Sequence, residues 1–377
     1  MKNNRIFLIS LIFFQVGFGW YFIHSSLLFF LLYLLLYNKS YFSLKLYKQY
    51  YYFSIIFFIS LLLLFVIGSR HMTLSFPDQN YIMLFYVTSM LSWIIYKEKS
   101  IKNIILFIFI YLLGLYIYSL SVVLYSYFQN PYLYGYGLLL NPFNMQEVNS
   151  PSFSNNLLLT TIGFYFILRS IKNQNYRFIL WCMIFIAVFA AAFLGGRTYF
   201  ILLAFYIFIF NYKAFISVKA FIYLSFISLL VFYLSTNYHI FDFILLRFDE
   251  QGLDTNNRLN LAIYGISRLL DYPFGGIIIP SFYGHPWFHN LWLDIFRVSG
   301  LLPLLLFLST NLQILYIYLK QSRRTLFVQM LFVYILICML IFSQDIIIEG
   351  NISPLYLYSF LVAFWFRLIS NKKLYSI

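Results

Sequence analysis

The sequence has few charged residues, few cysteines and none of the common nucleotide or zinc motifs. Only 10% of its 377 residues are charged and two are cysteine, whereas 63% are hydrophobic and 24% are aromatic. A soluble domain carries roughly 25% charged residues, so a soluble enzyme, a disordered protein and a nucleic-acid-binding module are excluded. The chain has no Walker A loop, no GxGxxG and no zinc-ligand spacing, and we expect neither a metal nor a cofactor.

What the sequence has instead is a series of long apolar runs. Because these runs are continuous rather than alternating, they exclude an outer-membrane barrel and predict membrane-spanning helices. The runs cover residues 6–21, 23–37, 51–67, 81–96, 103–128, 156–168, 178–194, 198–212, 220–236, 290–319, 326–343 and 354–370. We therefore predict an all-α, polytopic integral membrane protein with about 12 transmembrane helices, forming one membrane domain over residues 1–377.

The charged residues predict the topology of these helices. With the N-terminus in the cytoplasm, alternation leaves all but six of the 25 basic residues on the cytoplasmic side, as the positive-inside rule requires. The six outer basic residues are all arginines: Arg70, Arg197, Arg247, Arg258, Arg268 and Arg297. Among the acidic residues only Glu98 is cytoplasmic, and all five histidines are on the outer side. We predict that both termini are cytoplasmic and that any chemistry takes place at the outer face.

One outer segment, residues 237–289, is much longer than most of the other loops. A loop of this length is usually functional or disordered. Within it, Thr255 and Asn256 can cap a helix over about residues 257–271, which Pro273 ends. The apolar side of that helix holds Leu259, Ala262, Ile263, Ile266, Leu269 and Leu270. We predict an amphipathic helix that lies on the membrane surface.

Gly195, Gly196 and Arg197 interrupt two apolar runs at the outer face. The glycines allow a turn, and Arg197 then falls in the first turn of the next helix. A cation there opposes the helix dipole, which favours an anion bound beside it. The alternative is an arginine that snorkels to the lipid headgroups. We favour an anion-binding Arg197.

Arg258 and Arg268 lie on the predicted amphipathic helix. Arg258, near the helix start, is the better candidate for binding an anion. Arg268 is a further candidate, although it can simply pair with Asp271 three residues later.

Polar residues also begin the apolar run at 290–319. Asn290, Asp294 and Arg297 follow at positions that share one helix face, and His289 precedes them. Charges in a membrane helix usually face a cavity or a partner, so this stripe predicts a site, although Asp294 and Arg297 can instead neutralise each other. Histidine is the side chain whose ordinary pKa suits proton transfer near neutrality, which makes His289 the first candidate for a base and Asp294 the second.

The same histidine raises the question of a metal. His285 and His289 are spaced as an i, i+4 pair. Pro286 disfavours a regular helix across them, and no acid stands where a zinc-binding HExxH motif has one. We predict no metal site.

These residues resemble a known family. The stretch NNRLNLAIYGISRLLDYPFGG, followed by FHNLWLDIFRVSGLLPLLLFL, is similar to the C-terminal signature of the bacterial O-antigen polymerase/O-antigen ligase superfamily. The matching features are Arg258, the turn from Pro273 to Gly276, His289-Asn290, Asp294 and Gly300. GGRT at 195–198 looks like the small-residue-plus-arginine motif of that family. Arg297 and Pro303 are departures, because the family segment is normally apolar there.

The resemblance implies an inner-membrane glycosyltransferase with its active site facing the periplasm and residues 237–289 as a periplasmic loop. Its donor is a glycan on undecaprenyl pyrophosphate, and it uses no metal or nucleotide sugar. Arg197, Arg258 and Arg268 then become candidate pyrophosphate ligands, His289 and Asp294 candidate catalytic residues, and Asn290 and Arg297 supporting residues. The expected partners are undecaprenyl-pyrophosphate-linked oligosaccharide as donor and acceptor, membrane lipid and a chain-length regulator protein, with no nucleic acid.

Three functions stay open at this point. A polymerase transfers the glycan to another lipid-linked repeat unit, and a ligase transfers it to lipid A–core. The extreme Phe, Ile, Tyr and Asn usage is typical of an A+T-rich gene, which favours the polymerase. A flippase or transporter of lipid-linked oligosaccharide is the non-enzymatic alternative, but its charges are expected deep in several helices rather than at the outer rim.

Overall fold

The computed structural model is almost entirely helical. It describes residues 2–37, 48–71, 78–129, 138–215, 256–283, 286–321, 325–348 and 350–370. The α-helices are α1 Lys2–Phe18, α2 Trp20–Tyr37, α3 Lys48–His71, α4 Asp78–Phe85, α5 Ser92–Lys97, α6 Ile101–Gln129, α7 Ser150–Leu168, α8 Gln174–Phe193, α9 Arg197–Phe215, α10 Asn256–Ser267, α11 Leu291–Ser299, α12 Leu301–Lys320, α13 Leu326–Phe342 and α14 Ser353–Ser370. A π-helical segment, Tyr86–Leu91, joins α4 to α5. Within the described residues, one antiparallel hairpin pairs β1 Leu138–Leu140 with β2 Glu147–Asn149.

Five of the described helices are long and apolar enough to cross a membrane. They are Lys48–Ser69, Ile101–Gln129, Gln174–Phe193, Leu301–Lys320 and Ser353–Ser370. Shorter apolar helices accompany them, such as Leu326–Phe342. The fold is therefore that of an all-α membrane protein, and the number of twelve spans stays a prediction.

Helices occupy the predicted apolar runs wherever the structure describes them. The run at 220–236 lies outside the described residues. The prediction of one helix over 290–319 is wrong, because the chain breaks at Gly300 into α11 and α12. Gly300 has φ +85°, a conformation that a continuous right-handed helix does not contain.

The chain divides into two compact units. The first contains the described residues within Met1–Val16, Tyr21–Ile108 and Thr255–Ile377, and the second those within Gly17–Trp20 and Phe109–Asp254. A single membrane domain over the whole chain remains a prediction.

In the first unit, buried polar side chains join the packed helices. Helix α3 packs against α12, and α14 packs against α5 and α13. The Ser60 hydroxyl donates to the Pro303 carbonyl at 2.9 Å, and the Tyr358 hydroxyl donates to Asn311 Oδ1 at 2.8 Å. Since a buried polar group without a partner is costly in an apolar interior, these bonds specify how the helices align.

A charged cluster at one end of the first unit joins the beginning and the end of the chain. Arg5 pairs with Glu98 at 3.1 Å, and Arg367 Nε donates to the Glu98 backbone carbonyl at 3.0 Å. Asn103 Nδ2 also donates to the Glu98 carboxylate. The starts of α1 and α6 and the C-terminal end of α14 therefore lie on the same side of this unit.

In the second unit, α7 packs against both α8 and α9. A hydroxyl–hydroxyl bond of 2.8 Å between Thr161 and Tyr199 fixes α7 against α9. The hairpin follows α6, and Ser126 on α6 bonds both the amide and the carbonyl of Leu140.

Candidate active site

The first candidate residues lie where α11 begins. The Asn290 side chain accepts hydrogen bonds from the amides of Trp292 at 3.0 Å and Leu293 at 3.3 Å. Asn290 is therefore the N-cap of α11, a role that asparagine fills well because its oxygen satisfies amides that lack a helical partner. The predicted role of Asn290 as a supporting residue of the site stays a prediction.

Asp294 and Arg297 form a buried ion pair on α11. Arg297 Nε lies 3.1 Å from Asp294 Oδ1, and each residue is only 3% exposed. Asp294 Oδ1 also accepts the Phe288 amide at 3.0 Å, whereas Oδ2 has no hydrogen-bond partner among the described residues. The two charges neutralise each other, which was the alternative that the sequence left open.

Helix α11 lies outside the five candidate spans, and its Asp294 carboxyl is buried. Burial raises the pKa of Asp294, while the Arg297 guanidinium and the Phe288 amide oppose that rise. The Asp294 carboxyl group therefore has one oxygen held by hydrogen bonds and one buried oxygen without a partner among the described residues. A buried carboxyl of this kind is suited to accepting or donating a proton.

A glycine turn is interlocked with the end of α11. The amides of Gly276 and Ile277 both donate to the Arg297 carbonyl, at 2.8 and 3.1 Å, and the Leu301 amide donates to the Pro273 carbonyl at 2.9 Å. Both sides of the contact need glycine. A Cβ at Gly275 would lie 2.5 Å from the Val298 oxygen, and a Cβ at Gly300 would lie 2.2 Å from the Pro273 oxygen.

Helix α10 packs onto this assembly through one face. Leu261 and Phe288 are buried together with Ile279 and Leu293. Gly265 allows the close approach, because a Cβ there would lie 2.9 Å from the Phe288 ring. Segments that are far apart in the sequence are thereby held in one apolar cluster beside Asp294.

The predicted amphipathic helix is shorter than expected. It ends at Ser267 rather than near residue 271, and the chain continues as a turn. Three members of the predicted apolar side, Leu259, Ile263 and Ile266, are exposed along one stripe of the helix, and Leu270 is exposed in the turn that follows. None of the described residues covers this stripe. Its position on the membrane surface stays a prediction.

Arg268 forms an ion pair instead of standing alone. Its Nη1 lies 2.9 Å from Asp271 Oδ2, and both side chains are about half exposed. This is the pairing that the sequence offered as the alternative to phosphate binding. The guanidinium also lies over the Tyr264 ring at 5.5 Å. Both contacts are local to this turn.

We expect Arg268→Gln to leave the melting temperature unchanged. Exposed ion pairs contribute little to stability, because both charges are well solvated when separated. Differential scanning fluorimetry checks this. A melting temperature lowered by several degrees would show that the pair with Asp271 is important for stability.

His289 stands directly before the helix cap in an unusual backbone conformation. Its φ is +53°, which few residues other than glycine adopt and which is often found at functional sites. Its ring is parallel to that of Trp287, with 6.4 Å between centroids. Trp287 Nε1 is buried and has no hydrogen-bond partner among the described residues. Trp287 was not among the residues predicted from the sequence, although its place two residues before His289 is a signal that could have indicated it.

Of the other two candidate pyrophosphate ligands, Arg197 and Arg258, the structure describes the side chain of Arg197 only. Arg197 opens α9, as predicted, and it belongs to the second unit, whereas Asp294 belongs to the first. Gly195 has φ +62°, and its amide donates to the Ala192 carbonyl, which is the turn that the glycines predicted. Arg258 lies in the first turn of α10, and its side chain falls outside the described residues, as do Thr255 and His285.

The structure thus brings together the turn at 273–276, Asn290, Asp294, Arg297 and Gly300 in an all-α membrane protein. Within the described residues, no three His, Cys, Asp or Glu side chains are grouped as metal ligands are. Comparison with known proteins finds no matching protein family, no matching curated protein and no matching solved structure.

Proposed function

We propose that this chain is an O-antigen polymerase. In this proposal it transfers a glycan from undecaprenyl pyrophosphate to a sugar hydroxyl of another lipid-linked repeat unit. One observation carries the proposal. In the part of the chain that carries the resemblance, backbone hydrogen bonds join the turn at 273–277 to Arg297 and Leu301, and the buried Asp294 carboxylate accepts the Phe288 amide. Residues that only face lipid do not need hydrogen bonds between separate segments of this kind.

The chemistry of the proposed reaction matches these groups. The leaving group is a pyrophosphate, which needs stabilisation of negative charge more than it needs a proton. Guanidinium forks suit phosphate oxygens, and Arg197 and Arg258 are the candidates for that task. The acceptor hydroxyl needs a base, and His289, or Asp294 through its unpartnered Oδ2, can take the proton.

The proposed orientation places the active site at the periplasmic face of the inner membrane and both termini in the cytoplasm. The contacts of Glu98 with Arg5 and with Arg367 support this orientation, because they bring the beginning of α1 and the end of α14 to the same side. The neighbouring basic residues Lys97 and Lys99 agree with a cytoplasmic location.

The proposal predicts polymerisation without metal or nucleotide. Purified protein in detergent is mixed with undecaprenyl-pyrophosphate-linked repeat units in the presence of EDTA, and the products are separated on a gel. We expect a ladder of lengthened glycans, which His289→Ala and Arg197→Ala reduce by at least a hundredfold.

The control is Lys172→Gln, an exposed cation on the predicted cytoplasmic side, which is expected to keep the ladder. Transfer only to added lipid A–core would make the protein a ligase. Absence of both products with folded protein would contradict an enzymatic role, and translocation of the lipid-linked oligosaccharide in liposomes would then identify a flippase.

A further inference from the structure

Three basic side chains surround one buried acidic residue at the end of the first unit where the chain begins and ends. Glu98 is only 6% exposed. Arg5 pairs with its carboxylate at 3.1 Å, and Arg367 Nε donates to its backbone carbonyl at 3.0 Å. Lys97 precedes Glu98 in the chain and is partly exposed. The Glu98 cluster, made of Arg5, Lys97, Glu98 and Arg367, therefore carries a net positive charge.

The Glu98 carboxylate is committed to its immediate neighbours. Its Oε2 accepts the Arg5 guanidinium, and its Oε1 accepts the Ser100 amide at 3.0 Å and Asn103 Nδ2 at 3.2 Å. This one negative charge therefore neutralises Arg5 and satisfies polar groups at the start of α6. Arg367 contacts the backbone oxygen only, so no ion pair among the described residues compensates its charge.

Arg367 has guanidinium donors that the protein does not use. Within the described residues, the guanidinium makes one hydrogen bond, and it does so through Nε. The residue lies in the last turn of α14 and is partly exposed. Because the guanidinium donors form a planar fork, the Nη groups can bind two oxygens of one phosphate group.

Lys97 adds a second positive charge close to Arg367. Its ammonium lies over the Trp93 ring, 5.2 Å from the ring centroid. Lys97 lies outside the five candidate spans, and burial together with the nearby charge of Arg367 lowers its pKa. Since the two cations repel each other, an anion that contacts both of them is favoured at this point.

The position of these cations matches the headgroup layer of a membrane. Arg367 lies near the end of the candidate span Ser353–Ser370, and Lys97 ends α5. The end of a spanning helix lies at the level of the headgroups, where tryptophans such as Trp93 are also enriched. A lipid phosphate is already present at this level, whereas a soluble phosphate has to be recruited from water.

We propose that Arg367 and Lys97, with Arg5 beside them, form a binding site for the phosphate group of an anionic phospholipid. Glu98 holds the site together through its contacts with Arg5 and Arg367. The net positive charge favours a lipid with a net negative charge over a zwitterionic lipid, whose ammonium group it repels. The site does not depend on the proposed function, because none of its residues takes part in the proposed reaction.

The test measures lipid binding by the full-length protein in detergent. Native mass spectrometry follows titrations with phosphatidylglycerol, with phosphatidylethanolamine and with glycerol phosphate, which carries the phosphate without acyl chains. Wild type is expected to bind phosphatidylglycerol about tenfold more tightly than phosphatidylethanolamine, and to bind no glycerol phosphate at the same concentrations. Arg367→Gln is expected to weaken the binding of phosphatidylglycerol about tenfold, as for the loss of hydrogen bonds to a charged group. Lys97→Gln is expected to weaken it about fivefold, as for the loss of one charge near the membrane surface.

Lys320→Gln is the matched control for Lys97→Gln. Lys320 ends α12 in the same unit, and its ammonium also lies over an aromatic ring, that of Tyr316 at 5.6 Å. The side-chain hydrogen bond of Lys320 is with Tyr316 as well, rather than with the Glu98 cluster. We expect wild-type affinity from this variant. Arg367→Lys keeps the charge without the fork and is expected to bind several-fold more weakly than wild type, so it tests the site if Arg367→Gln does not fold.

Three results would contradict the lipid site. Equal affinity of wild type and the folded Arg367 and Lys97 variants, or no binding of phosphatidylglycerol by wild type, would overturn it. An equal loss in Lys97→Gln and Lys320→Gln would also overturn it, because basic residues that act only as topology signals attract lipid by charge alone. Binding of glycerol phosphate that Arg367→Gln abolishes would assign the cluster to a soluble phosphate compound and overturn the lipid ligand.

Discussion

Asp294→Ala is expected to lower the free energy of unfolding by about 3–5 kcal/mol, the cost of removing one partner of a buried ion pair. The substitution leaves Arg297 buried without its carboxylate, and a guanidinium cannot lose its charge at ordinary pH. It also deprives the Phe288 amide of its acceptor. Thermal unfolding in detergent measures the loss.

Arg297→Met is expected to lower the free energy of unfolding by less than Asp294→Ala does. The size of this loss is expected to depend on pH. Without Arg297 the buried Asp294 carboxyl can take up a proton, and burial already raises its pKa. Because the pKa is then higher in the folded than in the unfolded protein, the folded state binds protons more tightly. The stability of this variant is therefore greatest below the unfolded pKa of about 3.9 and is lost as the pH rises through the folded pKa.

The double variant Asp294→Leu/Arg297→Met separates structure from catalysis. Replacing both members of a buried pair by apolar residues is often neutral for stability, so we expect a melting temperature close to that of wild type. The proposed function expects this folded variant to be inactive, because the carboxyl is gone. Wild-type transfer by the folded double variant would reduce Asp294 to a structural residue.

Gly300→Ala is expected to destabilise the protein at least as much as Asp294→Ala does. Gly300 has φ +85° and ψ −166°, a region that side chains other than glycine essentially avoid, at a cost of about 1–3 kcal/mol. The added Cβ would also meet the Pro273 oxygen at 2.2 Å, which the backbone cannot accept without separating the turn from α11. We expect the protein to lose its cooperative melting transition and, with it, the activity of the proposed function.

Gly19→Ala is the matched control for this prediction. Gly19 also has a positive φ, +67°, but a Cβ there would meet nothing within 4 Å. We expect a loss of only about 1 kcal/mol, the cost of the left-handed conformation itself. If both variants melted alike, the interlock between the turn and α11 would have no special importance for stability.

The sequence predicted the local features of the fold better than the tertiary ones. The helical positions followed from the apolar runs, and the pairing of Arg268 with Asp271 followed from their spacing. The break at Gly300 was missed because the apolar run continues through it, so hydrophobicity carries no sign of a change in φ. Asn290 stands where a helix cap is preferred, and that signal was available.

The contacts of the candidate site were beyond the reach of sequence patterns. The bonds from Gly276 and Ile277 to Arg297 join residues on separate segments, and no periodicity specifies such a pairing. The contacts of Glu98 with Arg5 and Arg367 are of the same kind, because they depend on how α1 and α14 pack beside the start of α6.

The most direct test of the proposed reaction counts released undecaprenyl pyrophosphate against glycosidic bonds formed. The protein is incubated with lipid-linked repeat units and EDTA, and both quantities are followed by mass spectrometry, with His289→Ala as the inactive reference. The account predicts one molecule of undecaprenyl pyrophosphate released for each new bond. Bonds formed without that release, or no bonds from folded protein on intact substrate, would contradict it.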